Sequence, residues 1–154
     1  FLMAAGREFP NTNFLGLEIT KKMVQHVANQ AFNNALSNVR VVHCDGRLFM
    51  KYVVPQASVN RVHVYFPDPW TKKRHLKRRV INQDFFDSAY GVLVKGGFLN
   101  LFTDHKDYFD YFLEERALFG RFADTSEMGF YSPTGYEQKW TREGRTIYRA
   151  VLQK

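Results

Sequence analysis

Apolar residues along the chain fall into short continuous runs, separated by stretches in which they recur every three or four positions. The runs NFLGLEI (13–19), VRVVHCD (39–45), RVHVYF (61–66) and GGFLNLFT (96–103) predict strands, the last entered through a Gly-Gly turn. Between the first two, TKKMVQHVANQAFNNAL (20–36) carries Met23, Val27 and Gln30/Ala31 at helical spacing, with Thr20 placed to cap its N-terminus. Further helices are predicted near 81–94 and over HKDYFDYFLEERALF (105–119). Strands alternating with helices predict an α/β fold, a mostly parallel sheet with helices on both faces. The end breaks the alternation: RFADTSEM, a loop at Ser132-Pro133-Thr134, and RTIYRAVLQ (145–153) predict a closing antiparallel pair. No repeat or low-complexity linker interrupts the 154 residues, and that length predicts a single domain over 1–154.

Charge changes the picture because it is local. The net charge is +7, and residues 72–79 alone hold six Lys/Arg with no acid: Lys72, Lys73, Arg74, Lys77, Arg78 and Arg79, with His75 among them. A dense cationic run of this kind is the footprint of a phosphate-backbone contact; a solvated charged face is the plainer alternative. Cys44 is the only cysteine, which excludes a disulfide framework and a cysteine-based zinc site. His26, His43, His63 and His105 show no ligand spacing, so no metal is predicted. No apolar run approaches the roughly 20 residues of a membrane helix, and FLMAAGREF is not a signal sequence, which predicts a soluble intracellular protein. Fifteen phenylalanines are expected to serve mostly as core.

The predicted parallel strands share one feature. Glu18, Asp45, Asp68 and Asp104 each stand at or just past a strand's C-terminal end, the edge at which open α/β sheets bind ligands. Any one of them alone is equally a turn or helix-cap residue. Four in succession point to a site. A carboxylate in the place of Glu18 can accept both hydroxyls of a ribose, and one in the place of Asp45 can accept from an adenine amino group or a ribose hydroxyl. Asp68 is pinned between Pro67 and Pro69, each of which fixes its own φ.

With FTDHKDYFDY and SPTGYEQKWTREGRTIY, the segment FPDPWTKKRHLKRR (66–79) resembles the S-adenosylmethionine-dependent tRNA (guanine-N7)-methyltransferases, which methylate the variable-loop guanine at tRNA position 46. The resemblance runs from about Asn13 to the C-terminus. It implies a class I, Rossmann-like methyltransferase sheet with S-adenosylmethionine as methyl donor and tRNA as partner. It assigns Glu18, Asp45 and Asp68 to the donor side of the site, and Lys72, Asp104 and the Thr134-x-x-Glu137 motif to the guanine and tRNA side. Thr71 departs from the pattern, since the family usually has proline there. The Asp-Pro-Trp corner is closer to the bacterial or organellar form, implying a cytoplasmic or organellar monomer or homodimer with no obligatory β-propeller subunit. In this family a first strand and a glycine-rich turn precede a helix resembling FLMAAGREFP, and the sequence begins inside that helix. The expected chain is therefore N-terminally incomplete, lacking a central strand between NFLGLEI and RVHVYF, and is expected to bind the donor weakly when alone.

Guanine N7 has a free lone pair and no proton to lose, so methyl transfer to it needs in-line placement more than a strong base. Asp68 is the candidate catalytic residue: a fixed carboxylate favours the cationic purine that forms, and could accept from guanine N1–H and the amino group, a role Asp104 could share. Lys73, Arg74, His75, Lys77, Arg78 and Arg79 would grip flanking phosphates, His75 as a phosphate donor or loop strut. Trp70 would either stack on a base or wedge the loop. Two other readings stay open: an amino-group methyltransferase, although DPW has one proline where an Asp-Pro-Pro-Tyr corner has two, and an RNA-binding fragment without activity.

Overall fold

Each apolar run expected as a strand forms one, although the strands belong to two hydrogen-bonded sheets. The computed structural model describes residues 1–154. The chain, expected as one domain, divides into two compact units, Phe1–Val53 with Gly129–Thr134, and Val54–Met128 with Gly135–Lys154.

The first unit contains α1 (Leu2–Glu8), β1 (Phe14–Glu18), α2 (Lys21–Asn33), β2 (Val39–His43) and α3 (Gly46–Tyr52). β1 and β2 run parallel, Phe14 opposite Val39 and Glu18 opposite His43. A helical crossover makes that pairing possible. Thr20 occupies the N-cap position of α2, but its side chain makes no capping bond. Its backbone N–H instead donates to Glu18 Oε1 at 2.7 Å, so the turn is closed by the preceding carboxylate. Of the residues spaced for the buried face, Ala31 is buried while Met23 is exposed. The Asn38 amide donates to the carbonyls of Gly6, Phe9 and Thr12 at 2.9–3.1 Å and ties the end of α1 to β2. Phe130, from the 129–134 segment, packs its ring against Phe1 and Phe9.

The second unit contains β3 (Val59–Tyr65), a 3-10 helix (Lys73–Arg78), α4 (Gln83–Val92), β4 (Leu93–Thr103), α5 (Lys106–Phe119), β5 (Ala123–Asp124), α6 (Gly135–Arg142) and β6 (Tyr148–Gln153). Its sheet order is β3-β4-β6-β5. β3 lies parallel to β4, and β6 antiparallel to both β4 and β5. The expected closing pair exists, but β5 is two residues long and the main partner of β6 is β4, from Phe98 opposite Gln153 to Thr103 opposite Tyr148. The reason lies in β4, whose Leu99, Leu101 and Phe102 are wholly buried. Such a strand needs neighbours on both edges, because its backbone groups are cut off from water. β1 bonds only to β2, and β3 only to β4.

The fifteen phenylalanines, expected mostly as core, fill it only in part, since Phe32 is exposed and most of the others are half-buried. Phe85, Phe86, Phe112 and Phe122 are buried, and the Phe86 ring lies 5.6 Å from Phe119 and 5.5 Å from Phe112. Asn82 caps α4 by accepting from the Phe85 N–H at 2.9 Å.

β4 begins at Leu93, ahead of the expected Gly-Gly turn, because the register slips: Val59 faces Leu93 while Arg61 faces Phe98. Gly96, at φ +76°, absorbs the slip. At Gly97 the backbones approach so closely that a Cβ would stand 3.0 Å from the carbonyl oxygens of both Asn60 and Val94. Gly97→Ala is therefore expected to destabilise the protein by about 1–3 kcal/mol, the usual range for overpacking. An unchanged urea midpoint would show that the bulge can widen at no cost.

Candidate active site

The corner after β3 is strained at both ends. Phe66 and Trp70 have φ of +49° and +42°, and enclose Pro67-Asp68-Pro69. Left-handed backbone at bulky residues costs on the order of 1–3 kcal/mol each and persists only where the surroundings impose it. On one side the Phe66 N–H donates to the Phe102 carbonyl at 2.8 Å, extending the β3–β4 ladder by one residue. On the other, Arg79 Nε donates to the Pro69 carbonyl at 2.9 Å. The Arg79 guanidinium lies over the rings of Tyr111 and Tyr108, 4.6 and 5.1 Å from their centroids. Tyr108 is wholly buried, and burial pushes its hydroxyl pKa up to about 12. The corner is thereby anchored to α5.

Arg79, expected on the RNA, makes these internal contacts. The basic run divides accordingly. Lys72, Lys73, Arg74 and Lys77 are exposed. His75 is half-buried, with its ring edge-on to Trp70 at 5.5 Å, and the Arg78 guanidinium lies 5.1 Å from the centre of the indole. Trp70 is thus packed by its own loop. Asp68, Pro69, Trp70, Thr71, Lys72 and His75 line an open recess of about 340 Å³.

The four strand-end carboxylates differ in how they are held. Glu18 accepts from Thr20 through one oxygen. Asp45 caps α3 by accepting from the Arg47 N–H, and its other oxygen pairs with the Arg47 guanidinium at 2.9 Å. Those hydrogen bonds, led by the guanidinium's, hold its pKa below the ordinary carboxylate value against a smaller opposing effect of burial. Asp104 pairs with Arg145 at 2.9 Å. Asp68 is exposed and accepts no hydrogen bond from the protein. In the Thr134-x-x-Glu137 motif, Thr134 directly precedes α6, and Glu137 is buried on it, pairing with Arg149 of β6 at 2.6 Å. Glu18, Asp45 and Thr134 belong to the first unit; Asp68, Lys72, Asp104 and Glu137 belong to the second.

Sequence reasoning missed several members of this region. Arg145 reaches Asp104 across 41 residues, and its guanidinium lies 3.8 Å from the centre of the Trp140 ring. Nothing in their spacing signals that meeting. On the sheet, Arg61 donates to the Met128 carbonyl at 2.8 Å, beside buried Asn100, which donates to the same oxygen. His63 Nδ1 lies 2.8 Å from the Tyr65 hydroxyl.

The Rossmann-like methyltransferase fold is shown by solved structures. The aminoglycoside resistance methyltransferase NpmB1 superposes with a TM-score of 0.65 at 13% identity, over 99% of this chain and 80% of that one. Residues 1–150 match the family model described as "Putative methyltransferase". The tRNA (guanine-N(7)-)-methyltransferase of Marinobacter nauticus is 38% identical over 145 residues, 92% of this chain and 61% of the relative. That of Legionella pneumophila is 34% identical over 164 residues, 99% of this chain and 68% of the relative. With a matching family model and this identity along nearly all of its length, the chain belongs to the tRNA (guanine-N(7)-)-methyltransferase family. It spans about three-fifths of the length of several curated relatives.

His63 supplies a test of the polar cluster on β3. Burial, and then the Arg61 charge, push its pKa from the ordinary 6.5 down to about 4. Between those values the unfolded chain takes up a proton that the folded one refuses, so stability present above pH 6.5 is lost as pH falls toward 4. The loss should be at most about 3 kcal/mol. Urea midpoints at pH 7 and 5 should converge in His63→Gln, and an unaltered pH slope in that variant would acquit the imidazole.

Proposed function

We propose that the protein carrying this chain transfers a methyl group from S-adenosylmethionine to N7 of the variable-loop guanine at position 46 of tRNA. It would do so inside the cell as a bacterial-type or organellar enzyme, a monomer or homodimer with no obligatory β-propeller subunit. The observation that carries the reading is Asp68, the one strand-end carboxylate without a protein donor, held between two strained residues.

The acceptors of the first unit suit an adenosine. Glu18 and Asp45 follow neighbouring parallel strands, and Glu18 keeps its second oxygen clear of protein donors. A ribose diol and an adenine amino group need acceptors of this kind. S-adenosylmethionine, when bound, supplies a methyl on a cationic sulfur.

The remaining work falls to the second unit. Its groups have no proton to remove at N7; they orient the base and respond to the positive charge that grows on the purine. Asp68 is free to meet that charge, and its strained frame cannot swing away from it. Lys72 lines the same recess and would hold the nucleotide beside it. The outward cations Lys73, Arg74 and Lys77 are placed to bind flanking phosphates, whereas His75, Arg78 and Arg79 brace the loop that carries them. Glu137 would act from below, by fixing α6 to β6 through Arg149.

Expressed from its complete reading frame, the protein should make tRNA cleavable at the modified guanine after borohydride reduction and aniline treatment. An N6-methyladenosine product, which leaves the chain uncut, would overturn the reading. Asp68→Asn should lower turnover more than tenfold, or ~1.4 kcal/mol in barrier terms, with tRNA affinity nearly unchanged. Retained activity would remove Asp68 from the chemistry.

Neutralising Lys73, Arg74 and Lys77 to glutamine should instead weaken tRNA binding and flatten its log-salt slope by about 0.7–0.9 for each phosphate no longer neutralised. An unchanged slope would mean that these cations form only a solvated face.

A further inference from the structure

Around Asp104 the protein already contains the interaction that a guanine would make. Arg145 donates from Nη1 to Asp104 Oδ2 at 2.9 Å, while its guanidinium carbon sits 3.8 Å from the centre of the Trp140 ring. A flat cation thus has its N–H edge on a carboxylate and lies over an indole. Guanine presents the same combination, a flat π-face with two adjacent donors, N1–H and the N2 amino group, on one edge. Adenine lacks that pair of donors.

The surroundings fit a base as well. Tyr136, 60% exposed, lies 6.4 Å from Trp140 and 6.3 Å from Phe66, ring centre to ring centre. An aromatic row therefore runs from Trp140 to the residue that opens the Asp68 corner. Lys139 adds a cation 4.3 Å from the Trp140 ring. Aromatic faces with interleaved cations are how unstacked bases are received from single-stranded or looped RNA. The alternative, a plain surface ion pair fastening the end of β4, accounts for the Asp104 contact but assigns no role to the stacking.

We propose that Trp140 is the stacking platform for the target guanine, and that Arg145 occupies the base's place between Trp140 and Asp104 until RNA displaces it. The inference rests on the reading of a guanine substrate and adds to it two residues and a gate. With guanine's N1–H and N2 edge on Asp104, N7 lies on the opposite side of the ring, clear of the carboxylate that reads the base. Arg145 is then an internal competitor, which lowers apparent affinity by the fraction of time that it is docked. Side chains 48% exposed for Arg145 and 20% for Asp104 leave the contact weak enough to be displaced.

The test measures binding of phosphate-free guanosine and adenosine by equilibrium dialysis, with the Trp140 indole N–H signal followed by NMR to locate the bound base. Arg145→Gln should bind guanosine about three- to ten-fold more tightly than the parent, the gain expected on removing a half-exposed competitor. Adenosine should gain nothing. Trp140→Leu should abolish both the binding and the gain from Arg145→Gln, whereas Trp140→Phe, which keeps a flat ring, should retain guanosine within about threefold and guards against a folding defect.

Equal or weaker guanosine binding by Arg145→Gln would overturn the proposal. So would parent-like affinity in Trp140→Leu, or a Trp140 signal unmoved at saturation. Each of these three results leaves guanine-N7 methylation standing if 7-methylguanosine still forms in tRNA, because the base would then be read at Asp68. Equal affinity for adenosine and guanosine in every variant would overturn the gate and count against the guanine reading too.

Discussion

The corner between Phe66 and Trp70 is the constraint on which the rest of the second unit depends. Two bulky residues in left-handed backbone store energy that a loose loop would release by relaxing. The continued β3–β4 ladder holds one end, and Arg79, lying over Tyr108 and Tyr111, holds the other. The buried aromatic core is therefore tied to this corner: α5 carries the two tyrosines over which Arg79 lies as it donates to a carbonyl three residues before Lys72. Asp68 projects from the part of this frame that has nothing else to bond.

Electrostatics sort the other acids by how readily they can be taken up by a ligand. Asp45 is committed to a helix start and a neighbouring guanidinium, Asp104 to a displaceable arginine, and Glu18 to a single backbone N–H. Asp45 and Glu18 thus have the cap and turn roles that make an isolated strand-end carboxylate ambiguous, whereas Asp104 is held by a side chain. What distinguishes the ion pairs is how far the carboxylate is removed from water: Asp104 is 20% exposed beside its arginine, whereas Glu137 is 3% exposed beside Arg149.

Strands were legible in the sequence because a continuous apolar run in an alternating chain has little use except to fill a sheet covered on both faces. Short helices were not. α3 buries only Met50, and α6 buries only Glu137, so neither shows an apolar stripe. The two-residue β5 is too brief to leave a pattern, and the long β6–β4 ladder depends on a pairing more than 40 residues apart in sequence. For the candidate site, the family motifs singled out Asp68, Lys72, Asp104, Thr134 and Glu137, but their surroundings stayed hidden. Six cations in eight residues look alike in a sequence; only the turn of the 3-10 helix separates those facing water from the one beneath the corner. Thr20 shows the same limit, since a residue in the cap position need not use its side chain when a neighbouring carboxylate takes its N–H first.

The pairing of buried Glu137 with half-exposed Arg149 has an evolutionary consequence. One partner sits on α6 and the other on β6, and the glutamate is almost wholly removed from water. Loss of the arginine alone would take this ion pair from a carboxylate held in the interior, and loss of the glutamate alone would cost α6 its tie to β6. Descendants of this chain are thus constrained at these two positions, where the two codons change together more readily than either changes alone.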